Sequence, residues 1–345
     1  MTLDEMLDLL DELVTCHSPP GDEKEIDVVI RREFEAAGVE FWADDATNII
    51  ARVKGDGVKV MVCAHKDEIG MVVTDVEEDG RLRVENCGGS WPWKYGEGPI
   101  DILATDGSIV PGILSFGSVH TCSGPVHELK TSRALTWDLA RVFTGLSIDK
   151  LAARGVHVGS RAVVARERKG LHRFGDHIAS FALDDRMGLT ALIAGLRAVA
   201  GGVAGNADLY FIATHGEEIG MLGALRAAQV IGPDICIALD TSPVAHGTPV
   251  VLDARPVVWY REAVYNDKAL CDQLSGLAGD LGFGAQPCAY TASASDAGKI
   301  RQYGLVARTA CFGFARDNSH GFEFAHGESL VNVTRLLVEY LNQCG

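Results

Sequence analysis

The sequence predicts an α/β fold interrupted by a small β domain. Apolar residues recur at helical spacing near both ends of the chain, and helices alternate with strands rich in β-branched residues from about residue 178 onward. Between about residues 70 and 147, short strand-like pieces are separated by turn sequences instead. We therefore expect residues 1–70 and 165–345 to form one discontinuous domain, with residues 71–164 inserted into it as a β domain.

Local patterns predict each element of the α/β part in turn. A first helix over residues 3–14 and a second around residues 26–34 each have one apolar face, and Gly38 ends the second. Residues 48–53 and 58–64 are predicted strands. The later part is predicted to contain helices at 186–199, 219–230, 268–281 and 330–341, and strands at 208–214, 234–239 and near Cys288 and Val306.

Composition argues against several classes of protein. The formal net charge of −16 repels nucleic acids and anionic lipid surfaces, so we expect neither as a partner. The acidic start is unlike an export signal, and the most apolar stretch, residues 188–205, contains Arg197. None of the nine cysteines forms a CxxC pair. We expect reduced thiols, no zinc ribbon and a cytoplasmic protein.

Metal-ligand residue types follow three of the predicted strands. His65 and Asp67 follow the strand at 58–64, Glu217 and Glu218 follow the strand at 208–214, and Asp240 follows the strand at 234–239. In open α/β sheets the ligand crevice lies at the carboxyl ends of the strands. These side chains are therefore expected to converge at one edge of the sheet.

Each of these residues also has an ordinary structural interpretation. His65 alone is compatible with a hydrogen-bonded core histidine, and Asp184 and its neighbour with a helix cap. Glu217 and Glu218 are typical of a first helical turn, where the helix dipole favours carboxylates, and Asp240 is typical of a turn.

Taken together, these residues favour a metal site over the separate structural interpretations. Two histidines and three carboxylates, His65, Asp184, Glu218, Asp240 and His320, are the ligand inventory of two neighbouring divalent cations. Glu217 then remains as a spare carboxylate for acid–base work beside its metal-binding neighbour. No rival nucleophile is evident, because the Gly-Ser pairs at residues 117–118 and 159–160 lack the G-x-S-x-G frame.

Five separated segments resemble the tetrahedral (TET) aminopeptidase family, whose members are called glutamyl or deblocking aminopeptidases. They are AHKDEIG at 64–70, ALDDRMG at 182–188, GEEIG at 216–220, ALD at 238–240 and SHGFE at 319–323. The resemblance holds in order and spacing over nearly the whole chain. It implies a mixed sheet sandwiched by helices, as in zinc exopeptidases, with an inserted β-barrel-like domain for oligomerisation and substrate access.

The resemblance also implies roles for individual residues. Asp184 would bridge two metals, His65 and Asp240 would complete one metal site, and Glu218 and His320 would complete the other. The ions would be two divalent cations per chain, Zn²⁺ or Co²⁺. In addition, Glu217 would be the general base, Asp67 would orient His65, and Asp296 would lie near the substrate pocket.

The function implied is removal of N-terminal residues from short peptides by a homo-oligomer, a tetrahedral dodecamer. An acidic rim containing Asp67, Glu68, Glu217 and Asp296 would favour a cationic α-amine. A carboxypeptidase or an N-acyl amino-acid deacylase uses the same ligand set and stays an alternative, as does an inactive peptide-binding subunit.

Two segments differ from the family pattern. Ser293 and Ala294 stand where the family has two glycines before a Thr/Ser-Asp pair, which alters the wall of the substrate pocket. The stretch at 116–147 does not align with the family, and we expect its His120 and His127 to be surface loop residues.

Overall fold

The fold consists of a mixed β-sheet with helices on both faces, joined to a closed β-barrel. The computed structural model describes residues 1–203 and 205–344. The helices are α1 Leu3–Thr15, α2 Lys24–Ala36, α3 Pro92–Tyr95, α4 Pro125–Glu128, α5 Ile148–Ala153, α6 Leu183–Val199, α7 Leu222–Ile231, α8 Lys268–Asp280, α9 Asp296–Gln302 and α10 Ser329–Asn342. Short 3₁₀ helices lie at Trp137–Leu139 and Arg166–Arg168.

The strands divide between the sheet and the barrel. Those of the sheet are β1 Glu40–Ala43, β2 Ile49–Val53, β3 Lys59–His65, β10 His172–Phe174, β11 His177–Ser180, β12 Asp208–Thr214, β13 Ile235–Pro243, β14 Val257–Arg261, β15 Gln286–Ala289, β16 Arg308–Asp317 and β17 Glu323–His326. Those of the barrel are β4 Gly70–Val76, β5 Leu82–Cys87, β6 Gly98–Leu103, β7 Ile109–Ser115, β8 Arg141–Phe143 and β9 Arg161–Val164.

The sheet has the strand order β1-β2-β12-β3-β13-β16-β17-β11-β10, with β14 pairing to β16 and β15 to β14. Its centre is parallel, because β12, β3, β13 and β16 run in the same direction. Antiparallel strands flank this centre on both sides. The carboxyl ends of the four central strands therefore meet at one edge, which is where a ligand crevice is expected in such sheets.

Two hydrophobic cores lie on the opposite faces of the sheet. On one face, α1, α2, α6, α8 and α10 pack against it, and on the other face α7 and α9 do so. Nearly every residue of α6 is buried, as its almost continuously apolar sequence requires, so the start of this helix is held deep inside the molecule at the sheet edge.

The barrel closes in the strand order β4-β5-β8-β7-β6-β9 and encloses a third apolar core of its own. Closure leaves this small sheet without a free edge. The α/β fold class with an inserted β-barrel is thus confirmed. The assignment of residues 71–164 to oligomerisation and substrate access stays a prediction.

Two predicted boundaries near the sheet edge are wrong. The helix expected from residue 219 begins only at Leu222, because Gly220 and Met221 have positive φ values of 129° and 58° and form a turn before it. The strand expected to end before Asp240 continues to Pro243, because β16 remains paired with it to that point. Among the described residues, no helix has both the length and the apolarity that crossing a bilayer would require.

Candidate metal centre

His65 is the last residue of β3 and is oriented by Asp67. Its Nδ1 lies 3.1 Å from the carbonyl oxygen of Asp67, which can only accept, so Nδ1 carries the proton. The other ring nitrogen, Nε2, then faces the carboxylate of Asp184 at 3.2 Å. Although burial lowers the pKa of His65, the hydrogen bonds to Asp184 and Asp67 raise it well above its ordinary value. This ring orientation presents Nε2 as a metal ligand.

Asp67 also fixes the turn that follows β12. It is fully buried, and its two carboxylate oxygens accept hydrogen bonds from the backbone N–H groups of Glu217 at 3.0 Å and Glu218 at 3.1 Å. One side chain thereby connects the end of β3 to the pair of adjacent glutamates.

Potential ligand atoms gather into two groups that share one residue. His65, Asp184 and Asp240 form the first group, and Asp184, Glu218 and His320 form the second, each with its atoms within 4.8 Å of one another. His320 Nε2 lies 3.6 Å from Asp184 Oδ2 and 3.9 Å from Glu218 Oε1. The structure therefore brings together all five predicted ligands, with Asp184 between the two groups.

Unbalanced negative charge at this point fits divalent cations. Burial raises the pKa of Glu217 well above its ordinary value, and the nearby charges of Asp240 and Glu218 raise it further. Burial likewise raises the pKa of Asp240, and the charge of Asp184 raises it further. Burial also raises the pKa of Glu218, to about 7. Carboxylates that are disfavoured by burial and by one another become stable when cations bind among them. The donor set, two imidazoles and three carboxylates, suits zinc-type ions.

Asp184 and its neighbour have different tasks. Asp185 accepts a hydrogen bond from the backbone N–H of Gly188 at 3.0 Å, so it caps the regular part of α6. It also accepts one from the backbone N–H of His65 at 3.3 Å. The helix-capping interpretation is therefore correct for Asp185, while Asp184 points into the group of ligand atoms.

A buried arginine, which the sequence interpretation missed, neutralises part of the negative charge of the site. Arg316 is 2% exposed, and its Nη2 donates to Asp184 Oδ2 at 2.8 Å. Its Nη1 donates to Glu323 and to Ser319. Glu323 in turn accepts from the backbone N–H of Asp184 and from that of His320, each at 2.9 Å. In the sequence, the only indication of this role was that Arg316 and Glu323 lie within four positions of His320.

The barrel also contributes to this site, through the loop between β5 and α3. The Nδ1 of His320 donates to the carbonyl oxygen of Gly89, which leaves Nε2 facing the carboxylates. Nearby, Lys94 Nζ donates to Asn318 Oδ1 at 2.8 Å. No sequence pattern had indicated that a glycine 231 positions away orients a ligand residue.

A cleft of about 320 Å³ opens beside the two ligand groups. Of the four carboxylates predicted at an acidic rim, only Glu217 lines it. The prediction is wrong for Asp67, which lies behind His65, and for Glu68, which is buried against Lys169 with Oε1 2.6 Å from Nζ. The charge beside the cleft thus comes from the candidate ligands themselves.

Asp296, predicted near the substrate pocket, is 3% exposed and does not line the cleft. Its Oδ2 accepts a hydrogen bond from Thr214 Oγ1 at 2.6 Å. The residues just before it, 292–294, form part of the cleft wall instead. His120 lies in an exposed loop, as predicted, whereas His127 is partly exposed and lies in α4, so the loop prediction is wrong for it. Neither residue belongs to the two ligand groups.

Comparison with known proteins agrees with this geometry. Residues 47–336 match the M42 glutamyl aminopeptidase family. A lysyl aminopeptidase from Pyrococcus furiosus is 33% identical over 210 residues, which are 59% of this chain and 56% of that protein. The FrvX protein of Escherichia coli K12 is 28% identical over 239 residues, which are 68% of this chain and 64% of FrvX. The match thus spans less than two thirds of the length of either relative.

Solved structures resemble the chain over nearly its full length. An aminopeptidase from Desulfurococcus kamchatkensis superposes with a TM-score of 0.88 at 22% identity, covering 99% of this chain and 95% of that one. The TET1 peptidase of Pyrococcus horikoshii, described as assembling into a tetrahedron or a large octahedral shell, gives a TM-score of 0.85 at 22% identity, with coverage of 98% and 99%. At this identity the likeness establishes the fold.

The charge role of Arg316 is testable by stability measurements. We expect Arg316→Met to lower the free energy of unfolding of the chelator-treated protein by about 3–5 kcal/mol, because it leaves Asp184 and Glu323 buried without a cation. With saturating Zn²⁺ the loss should be smaller, since the metal supplies positive charge. Urea unfolding with and without metal measures this difference.

The matched control is Arg335→Met, at an exposed arginine on α10, which should change stability by about 0.5 kcal/mol or less under both conditions. An equal loss for Arg316→Met with and without metal would show that this side chain contributes packing and not charge.

Proposed function

The chain belongs to the M42 glutamyl aminopeptidase family, and from this premise we propose that it is a metal-dependent aminopeptidase that removes N-terminal residues from short peptides. The observation that carries the proposal is the pair of ligand groups sharing Asp184 at the carboxyl edge of the sheet, with Glu217 lining the adjacent cleft. This arrangement provides both a place for metal ions and a free carboxylate next to them.

We propose that two divalent cations bind per chain, Zn²⁺ or Co²⁺. Asp184 would contribute to both sites, His65 and Asp240 would complete one of them, and Glu218 and His320 would complete the other. Support comes from the two overlapping groups of ligand atoms and from ring orientations that leave Nε2 of both histidines free for a metal. Asp67 is a positioning residue, since it contacts His65 and the backbone of both glutamates.

A pair of divalent cations in such a site polarises a carbonyl group and makes water acidic enough to be deprotonated near neutral pH. In our proposal Glu217 accepts that proton and returns it to the leaving amine. Its carboxylate lines the cleft, while its backbone N–H is fixed by Asp67 at 3.0 Å. Asp296 is buried and accepts a hydrogen bond from Thr214 at the end of β12, two residues beyond the part of the cleft lining at 292–294.

The charge distribution favours an aminopeptidase over a carboxypeptidase. Among the described residues that line the cleft, Arg316 is the one arginine or lysine, and Asp184 and Glu323 already hold it. A substrate α-carboxylate would find no free cationic partner, whereas a cationic α-amine enters a strongly anionic site. An N-acyl amino-acid deacylase and an inactive peptide-binding subunit remain alternatives that the experiments below separate.

We further propose a cytoplasmic location and a homo-oligomeric assembly, a tetrahedral dodecamer, formed through residues 71–164. The nine cysteines are free thiols and eight of them are buried, as expected in a reducing compartment. Closed shells described for the TET1 peptidase of P. horikoshii, which has the same fold, support the assembly.

Light scattering on the purified protein tests the assembly. We expect a mass of about twelve chains, the number in the tetrahedral assemblies that the chain resembles, and closed symmetry is the common arrangement of soluble homo-oligomers. A monomer, or a dimer unaffected by substitutions on the surface of residues 71–164, would contradict the proposal.

Substitutions should separate the metal ligands from the base. We expect Glu217→Gln to keep both metal ions but to lower kcat by about 10²–10⁴-fold, because an amide cannot accept the proton of water. Asp184→Asn should instead lose bound metal, since the bridging carboxylate is gone. Elemental analysis after dialysis, combined with peptidase assays, measures both effects. Near-normal turnover in Glu217→Gln would remove this residue from the mechanism.

The direction of cleavage is tested with a tetrapeptide offered with a free or acetylated N-terminus and a free or amidated C-terminus. We expect stepwise loss of residues from the free N-terminus, whether or not the C-terminus is amidated, with mass spectrometry as the readout. Cleavage that requires a free C-terminus would support a carboxypeptidase, and removal of the acetyl group alone would support a deacylase. No reaction by metal-loaded protein would favour the inactive subunit.

A further inference from the structure

The cleft beside the candidate metal centre has one charged wall and one uncharged wall. The charged wall consists of the ligand residues, Glu217 and Arg316. The uncharged wall is the part of the lining that includes Met221, Pro243, Trp259 and residues 292–294, an Ala-Ser-Ala segment. Among the described residues that line the cleft, none outside the charged wall is ionisable.

We infer that the uncharged wall receives the side chain of the substrate's N-terminal residue, and that the enzyme prefers peptides beginning with an uncharged, apolar residue such as leucine or methionine. The inference rests on the proposed aminopeptidase function. In that function the α-amine and the scissile carbonyl lie at the metal centre, and the side chain leaves the same Cα atom. Within the cleft, the uncharged wall is the surface that can receive it.

Hydrogen bonds on the far side of the wall hold its largest member in place. Trp259 is 1% exposed and its Nε1 donates to Ser242 Oγ at 2.7 Å. Its ring packs edge-on against Tyr290, with centroids 4.7 Å apart, and Tyr290 Oη donates to the carbonyl oxygen of Pro243 at 2.9 Å. The polar atoms of both aromatic side chains are thus already bonded, and the surface that the wall presents comes from the partly exposed Met221, Pro243 and residues 292–294.

Two acidic residues lie behind the wall but are sealed from the cleft. Glu262 is 1% exposed and accepts hydrogen bonds from Ser295 Oγ at 3.0 Å and from Asn266 Nδ2 at 2.9 Å. Asp296 is buried and accepts from Thr214. Neither lines the cleft. The ammonium group of an N-terminal lysine would therefore reach no carboxylate on this wall.

An N-terminal glutamate would likewise find no free group of opposite charge on this wall. Arg316 is the lone arginine or lysine among the described lining residues, and it is bound to Asp184 and Glu323. Moving either charge from water to an uncharged wall without a partner is costly, whereas an apolar side chain gains from the same transfer. Leucine and methionine should therefore be preferred over both glutamate and lysine.

The decisive experiment compares four peptides, Xaa-Ala-Ala-Ala with Xaa being leucine, methionine, glutamate or lysine, on the metal-reconstituted full chain. We expect kcat/KM for leucine and methionine to exceed that for glutamate and lysine at least tenfold, which corresponds to about 1.4 kcal/mol. Equal or faster cleavage of the glutamyl or lysyl peptide would overturn the preference while leaving the aminopeptidase function intact. Failure to cleave any of the four would overturn the proposed function, and the inference with it.

A substitution in the wall tests whether it contacts the side chain. Ala294→Asp, with Ser293→Asp as a second variant, places a carboxylate on the wall and should raise the ratio of lysyl to leucyl cleavage at least tenfold. The matched control is Ala134→Asp, in an exposed segment of the inserted region, which should leave this ratio unchanged.

Metal content and circular dichroism show which variants are folded. An unchanged ratio in a folded, metal-loaded Ala294→Asp or Ser293→Asp protein would show that the wall does not contact the N-terminal side chain. Where neither variant folds, the four-peptide comparison on the unaltered chain decides the preference.

Discussion

The structure near the sheet edge is determined by the need to stabilise several carboxylates that are buried together. Asp184, Asp240, Glu217 and Glu218 approach one another where desolvation disfavours every negative charge. Isolated charges in such surroundings are very unfavourable, so each must be paired, protonated or bound to a cation. Arg316 supplies one positive charge, and backbone N–H groups supply hydrogen bonds at Asp67 and Glu323. The remaining demand for positive charge is what makes the site suitable for metal ions.

The barrel and the sheet meet through polar contacts, some of which extend to this site. Lys169, fully buried, bonds to Glu68 and lies 3.2 Å from His17 Nδ1, while His17 Nε2 lies 2.8 Å from Asp101 on β6 of the barrel. Gly89, on a barrel loop, accepts the hydrogen bond that orients His320. The position of the barrel and the orientation of a candidate metal ligand are therefore not independent. A change that shifts the barrel relative to the sheet would also shift the imidazole.

The sequence was informative where a pattern reflects local physics. Alternating helices and strands, and ligand-type residues at strand ends, led to the fold class and to the residues that the structure brings together, and the M42 match confirms the family that five motifs had indicated. Interactions between segments distant in sequence were not visible. Gly89 reaches His320 from a loop of the barrel, and Arg316 reaches Asp184 from β16. The carboxylates of Asp67, Glu68 and Asp296 had suggested an acidic rim, but a sequence does not show that the fold buries them.

Central strands and connecting segments both contribute to the candidate metal centre and to the cleft wall, but in different proportions. His65, Asp240 and Arg316 lie on central strands whose register is fixed by neighbours on both sides, which limits how far these side chains can move. In the uncharged wall, Pro243 and Trp259 lie on β13 and β14, whereas Met221 and residues 292–294 lie on connecting segments. Connecting segments tolerate substitution better than central strands do, because fewer packed neighbours must adjust. Residues 292–294 can thus change with less effect on the candidate metal centre than Pro243 or Trp259, which lie on strands of the sheet.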